Sequence, residues 1–66
     1  MLSKELVKYQ DKLYWVYRKI KASVIKEGYV NDLKEFWNCD VAVRNRNQND
    51  DIILFLREIP EAVLVD

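Results

Sequence analysis

The residues able to do chemistry in this 66-residue chain are few, and their types are restrictive. There is one cysteine, Cys39, two serines, Ser3 and Ser23, and no histidine. Without histidine the chain lacks the commonest general base, the Ser-His and Cys-His nucleophile pairs and most zinc sites. Cys39 sits beside Asp40 and after an expected helix end, surroundings that raise rather than lower a thiol pKa, so it reads as a buried structural thiol. A single glycine, Gly28, leaves no phosphate-cradling loop. The loop Asn45-Arg46-Asn47-Gln48-Asn49-Asp50-Asp51 alternates oxygen donors but has no central glycine and carries Arg46. It reads as a solvated loop, not a calcium site. No catalytic residue, metal or cofactor is expected.

Two sets of residues point instead to binding. The first is aromatic: Tyr14, Trp15 and Tyr17, with Ile25 and Trp37 as extensions. Tyrosine and tryptophan are enriched at interfaces because they bury much surface and keep a polar tip. The second is basic: Lys4, Lys8 and Lys12 at steps of four, followed by Arg18 and Lys19. Cations interleaved with aromatic rings can hold a phosphate backbone and stack bases. Net charge is zero, so no long-range field draws a polyanion. The charge is nonetheless uneven, with seven basic and three acidic residues through Glu27 and four basic against eight acidic after it.

The elements that must position these residues are read from apolar spacing. Leu2, Leu6, Tyr9, Leu13, Val16, Ile20 and Val24 step by threes and fours, the mark of a helix face. Ser3 suits the N-cap and Gly28 the left-handed stop. The spacing predicts a helix over about 4–27. At 1.5 Å per residue it is about 36 Å long, against a globule of roughly 28 Å, so part of its stripe projects and needs a partner. A short helix is expected over about 32–38, capped by Asn31, with Leu33, Phe36 and Trp37 inward. Strands are expected at about 40–44, 52–57 and 62–65. Ile52-Ile53-Leu54-Phe55-Leu56 is continuously apolar and reads as a central strand.

The expected fold is therefore α+β in one domain over 1–66, with a long N-terminal helix and a short second helix on a small three-stranded antiparallel sheet. One unpaired cysteine fits a reducing compartment, and no apolar run reaches the roughly 20 residues of a membrane span, so a cytoplasmic protein is expected. In composition the chain is similar to small accessory proteins of phages and mobile elements. That resemblance implies action by binding a host macromolecule. The expected function is a non-enzymatic protein–protein interaction module or inhibitor, with a protein partner and a homodimeric state. The alternative is a small nucleic-acid-binding protein using Lys4, Lys8, Lys12, Arg18 and Lys19.

Overall fold

The structure, a computed structural model, describes residues 5–60. In chain order it has β1 (Leu6–Tyr9), β2 (Lys12–Lys21), two single 3-10 turns (Ala22–Val24 and Glu27–Tyr29), α1 (Val30–Phe36), β3 (Val41–Arg46) and β4 (Asp51–Glu58). The strands form one antiparallel sheet in the order β1-β2-β4-β3. Two hairpins, β1–β2 and β3–β4, are thus joined through their second strands.

This overturns the long N-terminal helix and the three-stranded sheet. Most of the stretch expected to be helical is a hairpin. Its turn is Gln10-Asp11, with φ of 51° and 67°. Two successive left-handed residues are the type I′ geometry, whose twist matches that of paired strands. Such turns usually announce themselves with Asn-Gly or Asp-Gly; here neither position is glycine, so the signal is muted. The signal that was present is composition. Leu13-Tyr14-Trp15-Val16-Tyr17 is rich in aromatic and β-branched side chains, which pack well on a pleated surface. Five apolar residues in a row are excessive for one helix face, but they serve both faces of a strand.

A bulge explains why the spacing imitated a helix. In register, Val16 lies opposite Leu56 and Arg18 opposite Phe55, leaving Tyr17 as the extra residue. The insertion reverses the phase of β2. Val16 shares a face with Leu56 and Val41, whereas Ile20 shares the other face with Ile53 and Arg44. The four-residue step from Val16 to Ile20 is therefore a crossing between faces and not a helical turn.

α1 covers the face that carries Ile53 and Phe55. Buried Cys39, Ile53 and Phe55 form the core there, with Ile20 and Ala42 from neighbouring strands and Val30, Leu33 and Trp37 from the helical side. The helix lies two residues earlier than its expected 32–38 range. It stops at Asn38, whose φ of 55° is the left-handed cap conformation. The following amide, that of Cys39, donates to the Lys34 carbonyl at 2.8 Å and turns the chain toward β3. β3 and β4 occupy nearly their expected positions, and β4 is interior. The polar loop between them is clamped at its base. Arg44 Nε and Nη2 donate to the two carboxylate oxygens of Asp51 at 2.8 and 2.5 Å. That pairing holds the Asp51 carboxyl below its ordinary pKa. The strand expected at 62–65 lies outside the described residues.

The hairpin makes a prediction of opposite sign to the helix. Replacing Gln10 by Asn and Asp11 by Gly relieves two left-handed residues and should raise stability by about 1 kcal/mol. In a helix interior the same glycine would cost about 1 kcal/mol. Urea midpoints of the two chains decide between them.

A candidate arginine–aromatic surface

Beside α1, on the face that it covers, the register assembles a second cluster. Arg57 of β4 lies opposite Trp15 of β2 and, one step on, Phe55 lies opposite Arg18. Between them the bulge pushes out Tyr17, which is 41% exposed. The last turn of α1 brings Trp37 down onto Phe55, ring centroids 5.0 Å apart and nearly perpendicular. Trp37 also lies 6.1 Å from the Tyr17 ring.

Both arginines stack on these rings. The Arg57 guanidinium carbon sits 4.0 Å from the Tyr17 centroid, and that of Arg18 sits 4.8 Å from the Trp37 centroid. Cation–π contacts of this kind contribute about 0.5–1 kcal/mol at exposed sites and more as water is excluded. Arg57 Nη2 also donates to the Trp37 carbonyl at 2.7 Å, tying the helix end to the sheet. Its Nε is buried without an acceptor among the described residues.

Neither arginine has a carboxylate partner among the described residues. The nearby acids are engaged elsewhere: Glu5 with Lys19 at 2.6 Å, Glu58 with Lys12 at 3.7 Å, and Asp51 with Arg44 and Arg46. Asp40 accepts from the Glu58 amide at 2.6 Å. Two positive charges are thus held on aromatic rings without a compensating carboxylate among the described residues.

Cys39 lies under this cluster and is buried. Burial pushes its thiol pKa above the ordinary value, with Asp40 adding to the rise and Arg57 opposing it. The thiol therefore keeps its proton in the fold to a higher pH than in the open chain. Its contribution to stability falls as pH rises through the unfolded thiol pKa, because only the unfolded chain then releases the proton. Native Cys39 should be alkylated by iodoacetamide at least about tenfold more slowly than in urea. Equal rates would show an open, reactive thiol.

The structure distributes the sequence-identified residues unevenly. Trp15, Tyr17, Arg18 and Trp37 share one region of one face. Tyr14 is 5% exposed and points to the opposite face, with Val16 and Leu56, its ring edge-on to Tyr9. Ile25 packs against the core and lines a cleft of about 470 Å³ between α1 and the sheet, where Arg44 supplies a polar wall. Lys4 lies outside the described residues. Lys8 and Arg18 fall on the cluster's face, whereas Lys12 and Lys19 fall on the other, because strand side chains alternate. Arg57 was missed. Its signal was an arginine at the end of a strand otherwise apolar from Ile52 to Leu56.

Among the described residues no group of His, Cys, Asp and Glu could hold a metal ion, and no helix is long and apolar enough to cross a membrane. No protein-family model, curated protein or solved structure matches the chain. The molecule is a small α+β domain, defined by its own geometry, whose distinguishing feature is a pair of arginines stacked on a tyrosine and a tryptophan.

Proposed function

We propose that this chain is a small non-enzymatic interaction module, acting as a binder or inhibitor of a protein partner through the Tyr17–Arg18–Trp37–Arg57 surface. The observation that supports this reading is the stacking of both arginines on half-exposed rings, without a carboxylate partner among the described residues. Arginine, tyrosine and tryptophan are the residues that dominate binding energy in protein interfaces. Stacking holds the side chains in place before binding, which lowers the entropy cost of association. An isologous dimer centred here would bring the guanidinium groups of both copies together, so a different chain is the better occupant. The nucleic-acid alternative rests on one continuous basic strip, and alternation along the strands divides that strip between faces.

The test is selection of a short random-peptide library on the immobilised chain, repeated with Tyr17→Ala. The proposal expects clones that the wild type retains and the variant releases. Clones retained equally by both, or no enrichment, would remove it. A molar mass by light scattering that doubles for wild type and reverts in Tyr17→Ala would replace the foreign partner with a second copy.

A further inference from the structure

We infer that the partner segment seated on this surface is acidic, presenting carboxylates to Arg18 and Arg57 beside an apolar or aromatic side chain packed on Tyr17. This rests on the proposed interaction surface and names the chemistry of what it holds.

The charge argument comes first. A guanidinium is always ionised and carries five donors and no acceptor. Arg57 spends one donor on the Trp37 carbonyl. Among the described residues the Arg18 guanidinium meets the Trp37 ring and no carboxylate. Arg57 has its Nε buried and its Nη2 engaged, so it offers its charge and Nη1, whereas Arg18, held over the Trp37 ring, keeps the edge of its guanidinium for a carboxylate. That edge is a planar fork matching the two oxygens of a carboxylate. Every ion pair recorded among the described residues lies elsewhere, so a bound carboxylate would not have to displace an internal one.

The surroundings select an acidic protein segment over a polynucleotide. A phosphate backbone needs a row of uncompensated cations to track along. Here Lys12, Lys19, Arg44 and Arg46 are already paired, and the whole chain is neutral. What borders the two arginines is apolar. Leu6, on the same face as Trp15 and Arg57, is 53% exposed, and Phe36, next to Trp37, is 81% exposed. A short segment with one or two carboxylates flanked by bulky apolar side chains complements that mixture.

The experiment reads the composition of the peptides selected on the wild-type chain. It then measures the affinity of the strongest one by fluorescence anisotropy for wild type, Arg57→Gln and Arg18→Gln, with oligothymidylate as a parallel ligand. Arg57 also anchors the helix end, so Arg18→Gln, which breaks no side-chain hydrogen bond among the described residues, keeps the test valid if Arg57→Gln does not fold. Expected are clones rich in Asp and Glu beside aromatic residues, binding weakened about tenfold by Arg18→Gln, and affinity that falls with added salt. Selected clones without acidic residues would overturn this inference while leaving the protein-binding reading intact. No selected clones would overturn both. Oligothymidylate bound more tightly than any peptide would overturn both in favour of nucleic acid.

Discussion

Phe55→Ala is expected to leave the chain largely unfolded in water at room temperature. Phe55 is fully buried at the centre of the interior strand, flanked in register by Arg18 and Ala42 and capped by the Trp37 ring. Truncating a buried phenylalanine costs about 3–5 kcal/mol, from lost transfer energy and from the cavity left behind. A chain of this length has roughly 3–10 kcal/mol of stability in total. One residue therefore carries a large part of the margin. Phe55→Leu, which refills most of the volume, should cost no more than about 1.5 kcal/mol and stay folded. Urea unfolding followed by circular dichroism reads both. A Phe55→Ala chain with an unchanged midpoint would mean that α1 does not pack on β4 as described.

Trp37→Ala should have the second-largest effect, and it connects the core to the surface. The substitution removes the edge-to-face contact with Phe55 and the seat of Arg18 together. A loss of about 3 kcal/mol is expected, at the low end for tryptophan because the ring is only half-buried. Peptide binding should be lost with it. Trp37→Phe keeps an aromatic ring on Phe55 and should retain the fold and most of the binding. A double-mutant cycle between Trp37→Leu, which removes the ring, and Arg18→Gln then isolates the stacking contact, with a coupling of about 0.5 kcal/mol. Zero coupling would show that Arg18 is not held by the ring, removing the preorganisation on which the binding proposal depends.

Much of the second half was legible from residues alone. A helix was expected near its place, although Tyr29 and not Asn31 stands at its N-cap and Phe36, expected inward, is 81% exposed; Val41 and Val43 announced an alternating strand, and the run from Ile52 to Leu56 an interior strand. The strand signals are local: a period of two and a continuous apolar stretch between polar loops. The first half was not legible. A helix period and a bulged strand can share the same apolar spacing, and at Val16 and Ile20 they do. The competing evidence, aromatic and β-branched enrichment in β2, is a weaker signal than periodicity. The turn that would have arbitrated uses Gln10 and Asp11 where glycine is usual.

The candidate surface was half legible for the same reason. Tyr17, Trp37 and Arg18 were identified as binding residues by type, but their neighbours were assigned on a helix that does not exist. Tyr14 joined them by adjacency in sequence, yet strand alternation sends it to the far face. Arg57 was absent because nothing local links it to Trp37, twenty residues away, whose carbonyl it holds.

The sequence by itself determined one central apolar strand, a short helix and a polar loop. These follow from composition and from interactions within a few residues along the chain. Only the tertiary structure decided which side chains share a face. That depends on the register between β2 and β4 and on the single extra residue at Tyr17, which inverts the phase of everything after it. Register is set by the pairing of distant segments over a common core. Two arginines and two rings from three separate elements meet because the fold closes there, not because of any spacing along the chain.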